Sequence, residues 1–542
     1  MAKERNRWIA LIFISMSLSL VIIDGTIVNT IFPKMIEALD ITSTDVQWVQ
    51  ESYVLVFASL LLVWGSVADR VGRRLLLVIG ILIFIGASVW AGTSQDAAML
   101  IMARIAQGIG GSMVLPTTLS LLNSTFVGKE RGIAFAVWGA TIGGMVAIGP
   151  VIGGWLATDF TDGWRLAFNV NLPIGLIIVV GLLVFAMESK VKDLHDGIDV
   201  VGALLSVLLF FNLVFGLIEG RTYGWWTPNE RNPFTIGDFS WASKEISIIP
   251  IALGLSLLFG VLFVLWERNR AKQNKSVLLD LGLFHITSFR NGAIAALIIS
   301  MGEFGLVFAI PLWLQNVQGL SPVASGLALL WLAGGAFLAS GAVGAMSGKV
   351  APAQVVRMGV LLELIGVIAT AIAIGSNTDW WWVSPGLLLY GIGVGFATAQ
   401  LTGVIMLDVP LSKAGQGSGT QSTVRQVGSA MGIAVIGTTL FTATQWALEK
   451  RLDDLKVTGD SQSQIVNAVV DSAGGAIPKL TDALTAQHVP AAAASDIAHA
   501  AGSAFADGAM WAAYAAALFL ALGFLSTFRL SGKQHKDASH HA

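Results

Sequence analysis

The chain has 542 residues, of which 55% are hydrophobic and only 12% charged, against about a quarter charged in an ordinary soluble domain. That composition belongs to a polytopic membrane protein, and a formal net charge of −2 leaves no basic face for a nucleic acid. With no cysteine in the chain, disulfides, thiolate nucleophiles and cysteine-ligated metals are excluded.

Fourteen apolar runs can each cross a hydrocarbon core of roughly 30 Å. They lie near 9–31, 46–67, 75–93, 97–121, 134–157, 166–187, 199–219, 247–267, 291–314, 323–347, 355–375, 382–407, 424–446 and 508–528. An even number returns both termini to one side. The loops and tails on that side hold 21 Lys and Arg and the opposite loops nine, so the positive-inside rule predicts a multi-pass protein of the inner (cytoplasmic) membrane with both termini in the cytoplasm. The basic start precedes an apolar run that lacks a small-residue cleavage site and is interrupted by Asp24, which reads as an uncleaved first span.

An ionisable side chain inside a span costs about 2.5 to 3.5 kcal/mol on insertion scales, so each one is a functional candidate. In span 1 the stretch IIDGTIVNTIFP carries Asp24, with Asn29 nearby and Pro33 ending the run. A desolvated carboxyl can hold a proton in one state and release it when a cavity opens or a cation arrives; the competing reading is a carboxylate tied permanently to an arginine or to backbone. Glu51, early in span 2, reads as a vestibule residue, as do Glu219, Glu267 and Asp408 at span ends. Between spans 2 and 3, GSVADRVGRR (65–74) reads as a tight cytoplasmic turn. There Asp69 can accept from free backbone N–H groups at a helix start, while Arg70, Arg73 and Arg74 hold the inner side and Gly65 and Gly72 permit close packing. Arg104 in span 4 cannot be neutralised and needs an acceptor, either as a proton-coupling partner of Asp24 or as a static strut. Span 5, GATIGGMVAIGPVIGG, brings Gly149, Pro150 and Gly153 together, as a gating hinge or as a packing seam.

Spans 7 and 8 read as an inserted, peripheral pair followed by the basic loop Arg268, Arg270, Lys272 and Lys275, a topology anchor near anionic lipid. A weak repeat joins the flanking halves: 344–359 lies over 65–80 at a shift of 279 residues, with Gly348 where Asp69 would fall, and the same shift carries Asp24 onto Glu303. Matched acids in two halves suggest a transport site between them. The predicted units are therefore 1–190, a six-helix bundle; 191–280, the inserted pair; and 281–542, a second six-helix bundle. Glu363 in span 11 is a further candidate proton site. The outer segment 447–507 reads as a helical hairpin or a mobile stretch, and the histidines of the tail are not expected to hold a metal.

Four stretches resemble the major facilitator superfamily, in its fourteen-span drug:proton antiporter branch: GSVADRVGRR, LIMARIAQGIGG with Arg104 and Gly108, AIGPVIGG, and IIDGTIVNTIFP. WRLAFNVNLPIG (164–175) is similar to the segment leading into span 6 of these pumps. The resemblance implies an all-α fold of two six-helix bundles plus two extra helices, working as a monomeric alternating-access exporter in the lipid bilayer. It would be driven by protons, with no bound cofactor and no enzymatic activity. By the same likeness Asp69, Arg70, Gly72 and Arg73 would form the cytoplasmic gate and Arg104 would couple the proton. Gly149 and Pro150 would form the antiport hinge, with Asp24 binding proton or substrate. The expected cargo is an amphipathic, cationic small molecule. A dedicated exporter or flippase of a lipid, siderophore or other amphipathic metabolite is the alternative.

Overall fold

The computed structural model describes residues 2–41, 43–191, 197–229, 232–236, 239–241, 245–346 and 349–530. Fourteen of its helices, among the described residues, are long and apolar enough to cross a membrane. Helices α1 (Ala2–Leu39), α2 (Ser43–Val71), α3 (Arg73–Gly92), α4 (Ala97–Thr125) and α5 (Gly128–Asp159) are one span each, and α6 (Gly163–Asn169) with α7 (Asn171–Phe185) makes the sixth. Then come α8 (Val200–Ile218), the single turn α9 (Gly220–Tyr223), and α10 (Ile248–Lys272). The loop before α10 carries a two-stranded antiparallel ribbon, β1 (Thr235–Ile236) and β2 (Phe239–Ser240), the one departure from an all-helical architecture among the described residues. The remaining spans are α11 (Thr287–Asn316), α12 (Pro322–Met346), α13 (Pro352–Ala373), α14 (Ser384–Ile405) and α15 (Ala414–Asp454). After the short α16 (Asp460–Asp471) and α17 (Leu480–Ala486), the chain ends in α18 (Ala491–Thr527).

Helices α1 to α7 pack on one another, as do α11 to α15 with α18. The two groups meet along two seams, α2 against α15 and α5 against α12. Helices α8 and α10 pair with each other, and α8 leans on α2 and α15 from outside the first seam, while Leu204, Leu257, Leu258 and Leu265 stay exposed on the pair's outer face. Within the hydrocarbon layer, helix association depends on close approach, so small residues stand at the crossings. Between α13 and α14, a Cβ on Gly366 would sit 2.8 Å from the carbonyl oxygen of Gly386 and from Cα of Tyr390.

Hydropathy located the middles of the last two spans but not their ends. Helix α15 has 41 residues and α18 has 37, at 1.5 Å per residue roughly twice the core thickness. Their extensions form the two ends of segment 447–507, which is mostly helical, and α16 and α17 lie between them. Arg451 of α15 pairs with Asp507 of α18 at 2.6 Å, and Ile465, Val466 and Val469 of α16 are buried against the extensions. These elements stand at the face opposite the one where α1 starts and α18 finishes, called below the terminal face.

A Gly366→Val substitution puts a branched side chain against backbone that cannot move aside. We expect it to destabilise the purified protein by at least about 1–3 kcal/mol, read as a lowered thermal midpoint in detergent.

Candidate functional site

Between the two helix groups lies a small, half-open cavity of about 40 Å³ lined by Ile142 and Val146 of α5, Glu303, Phe304 and Val307 of α11, Leu332 of α12, Tyr390, Val394 and Thr398 of α14, and Arg425 of α15. Its walls are apolar apart from one cluster. Glu303, 6% exposed at its side chain, accepts from Arg425 Nη2 at 3.1 Å through Oε2 and from Thr398 Oγ1 at 3.3 Å through Oε1. The Tyr390 hydroxyl donates to the carbonyl of Glu303 at 3.1 Å. Behind this cluster, fully buried between α13 and α14, Glu363 receives no hydrogen bond at either carboxyl oxygen, and its electrostatic neighbours are Glu303 and Arg425.

The acid that the repeat matches to Glu303 lies elsewhere. Asp24 and Arg104 form an ion pair of 2.6 Å, both side chains 0% exposed, inside the first helix group. Oδ1 of Asp24 also accepts from Gln107 Nε2 at 2.7 Å and Asn171 Nδ2 at 2.9 Å. The guanidinium is occupied in turn by the carbonyl of Val49, the side-chain oxygens of Gln50 and Gln107, and the ring of Tyr53, 4.1 Å away. Asp24 and Arg104 are thus brought together, but away from the cavity wall. The expectation that Asp24 and Glu303 face one cleft needs correction. A shift along the sequence matches positions, whereas the partners come from different helices, α4 for Asp24 and α15 for Glu303. The side chain of Asn29, Gly348 and the tail from Gly532 lie outside the described residues.

At the terminal face the turn after α2 closes the first seam. Asp69 accepts from the backbone N–H of Gly415 at 2.9 Å and of Gln416 at 3.2 Å, the exposed donors of the first turn of α15. Arg73 donates to Asp69 at 2.7 Å, to the carbonyl of Leu411 at 3.0 Å and to Ser189 Oγ at 2.8 Å. Arg70 reaches the carbonyl of Gly197, and Gly72 takes φ 123°, a conformation costly for any side chain, with the carboxyl of Glu188 packed on it. Gly65 touches Gly415 and Gly419, so the backbones of α2 and α15 cross in contact. The linker after α10 joins this closure. Asp280 pairs with Lys413, its N–H donates to Gln416 Oε1 at 3.0 Å, and although burial alone would raise its carboxyl, Lys413 and the N–H of Gly282 hold it below the usual range.

Helix α5 runs unbroken through Pro150. Gly149 and Gly153 lie against Thr26, Ile27 and Thr30 of α1, while Gly154 and Pro150 meet Val323 and Gly326 of α12. These residues form a two-sided packing seam in this conformation. Sequence reasoning missed Arg425, Gln107, Asn171, Thr398 and Tyr390. Arg425 carried a usable signal, being a cation at the edge of a span, whereas the others are neutral polar residues with none. Among the described residues no group of three His, Cys, Asp or Glu could hold a metal.

Two helix groups closing on a shared apolar cavity, with ion pairs buried at membrane depth and one face latched, define a membrane transporter. The profile of the Major Facilitator Superfamily matches residues 14–433, and the chain belongs to that family. It is 31% identical over 445 residues to the probable actinorhodin transporter of Streptomyces coelicolor, an alignment spanning 80% of this chain and 73% of the relative. It is 29% identical over 517 residues to the multidrug efflux pump LfrA of Mycolicibacterium smegmatis, spanning 95% and 94%. Among solved structures, the human organic anion transporter MFSD10 superposes with a TM-score of 0.58 at 12% identity, covering 96% of this chain and 99% of that one. A proton:xylose symporter gives 0.55 at 11% identity, covering 88% and 96%.

Asp24→Asn leaves a buried guanidinium short of its counter-charge, and we expect a loss of about 3–5 kcal/mol in stability. Adding Arg104→Gln should recover part of the thermal midpoint, as a compensated pair would. The cysteine-free chain also allows the latch to be read directly. With a reporter at Ser418→Cys, buried in α15, Asp69→Asn should raise labelling by an impermeant maleimide on the order of tenfold, the equivalent of about 1.4 kcal/mol.

Proposed function

We propose that the chain is a proton-coupled exporter of amphipathic, cationic small molecules, acting as a monomer in the cytoplasmic membrane with its terminal face in the cytoplasm. Units 1–190 and 281–542 are the bodies that move, and 191–280 flanks them. The observation that carries the reading is the arrangement of two carboxyls and one guanidinium at the cavity. Glu303 is paired with Arg425, while Glu363, acted on by both, has no donor.

A net charge in that apolar enclosure is costly, so the cluster is held near neutrality. With the cavity empty, Glu303 and Arg425 cancel and Glu363 carries its proton. A lipophilic cation that takes Glu303 adds one positive charge and frees Arg425. Arg425 then turns to Glu363, whose proton leaves, and the sum is again zero. One monovalent cation is exchanged for one proton. Such an exchange is electroneutral and draws on the pH difference alone, about 1.36 kcal/mol per unit, which supports roughly a tenfold cargo gradient. Asp24 and Arg104 have no part in this step beyond holding α1 to α4.

Relatives named for export of or resistance to several compounds, such as LfrA, support a broad range. Relatives named for one compound, such as the tetracenomycin C resistance and export protein of Streptomyces glaucescens, 29% identical over 434 residues spanning 79% of this chain and 75% of the relative, support a dedicated exporter instead. Competition among unrelated cationic dyes separates the two.

In proteoliposomes with an imposed pH difference, we expect dye transport by the wild type to be insensitive to a potassium–valinomycin potential. Glu303→Gln should lose both binding and transport. Glu363→Gln should still bind dye but no longer accumulate it against a gradient. Full coupling in the Glu363→Gln variant, or transport driven by membrane potential alone, would refute the exchange.

A further inference from the structure

The inserted helix pair meets the first helix group through a second pair of acids. Glu219 caps the C-terminal end of α8 and is 1% exposed, and Glu51 of α2 is half-buried beside it, within hydrogen-bonding reach. Oε1 of Glu219 has no protein donor. Two carboxyl groups this close present only acceptors to one another, and the hydrogen bond between them exists only if one of them carries a proton.

Among the described residues, no cation stands beside the pair to replace that proton. Arg221 of α9, the nearest basic residue in sequence, donates to the carbonyl of Val470 and lies 3.3 Å from the centroid of the Phe441 ring, and its electrostatic partner is Asp471 at the end of α16. On α15, Arg425 is engaged by Glu303, Glu449 takes a bond from Gln445, and Lys450 lies over Trp446. The charged residues of α10, Glu267, Arg268, Arg270 and Lys272, are at its far end. Tyr223, packed in the same pocket near Trp48, is itself pushed up by burial and then by the two carboxylates. Burial, reinforced by Glu51, drives Glu219 up to about 10.

We infer that Glu51 and Glu219 form a proton-binding site, separate from the central cavity, whose shared proton docks the inserted helix pair on the first bundle at the face opposite the termini. Docking takes up one proton and undocking at neutral pH releases it, because two adjacent carboxylates repel once the bond between them is lost. The sign follows from the raised value. The site's contribution to stability is full below the ordinary carboxyl range and declines as pH climbs from there to about 10. This holds whether or not Glu303 and Glu363 exchange a proton for cargo.

The test uses the purified full chain in nanodiscs. Infrared spectra taken along an alkaline titration should contain a protonated-carboxyl component that persists well above neutral pH, remains in a Glu303→Gln, Glu363→Gln double variant, and is lost when Glu219→Gln is added to that background. Amide exchange across 200–223 should rise severalfold with pH in the wild type and stay flat in Glu219→Gln, whose amide supplies the donor permanently. In Glu51→Gln, which serves also if Glu219→Gln fails to fold, the band should titrate at lower pH because the neighbouring charge is gone. A band unchanged by either substitution, or exchange across 200–223 independent of pH in the wild type, would overturn the assignment. Neither readout requires transport, so failure here is distinguishable from failure of the cation–proton exchange.

Discussion

A charge in hydrocarbon must be compensated where it stands, because no water is present to do it. That constraint organises the protein. Asp24 and Arg104 satisfy it inside the first helix group, with Gln107, Asn171 and Gln50 completing their hydrogen bonds. Asp69 and Arg73 satisfy it at the latch, with the opening turn of α15 as the third party. Glu303 and Arg425 satisfy it at the cavity. The three pairs differ in what surrounds them, and so in what they can do. A pair with every lone pair and N–H engaged is a strut, whereas a pair bordering a cavity and a third, donorless carboxyl can be exchanged.

The latch shows how one contact links the units of the chain. The first turn of α15 offers backbone N–H groups that a helix cannot satisfy internally, and Asp69 from the other half takes them. Gln416, whose N–H is one of these, receives the Asp280 N–H through its side chain, and Lys413 one turn earlier pairs with Asp280. The linker from the inserted helices is thereby fastened to the same turn that holds the two halves together. Opening the terminal face therefore disturbs the attachment of α8 and α10 as well.

Much of the fold was legible in the residues. Fourteen apolar runs, their charge asymmetry and the glycine-rich turn at 65–74 specify a membrane bundle, since insertion free energy depends on local composition. The extents of α15 and α18 were not legible, because the helices leave the bilayer with polar and alanine-rich turns that hydropathy does not register. The short ribbon at 235–240 gave no signal either, with two residues in each strand.

The sequence by itself determined which side chains would be costly in the membrane: Asp24, Arg104, Glu303 and Glu363 could be named from one-dimensional burial alone. Only the tertiary structure decided how they are used. It drew Asp24 onto Arg104 inside a bundle, set Glu303 and Arg425 on the cavity with Glu363 behind them, and brought the half-buried Glu51 beside the buried Glu219. The physical reason is that the cost of a charge is local to its span, whereas the compensation of Asp24 and Glu303 comes from residues 80 and 122 positions away, and their approach is fixed by how the helices pack.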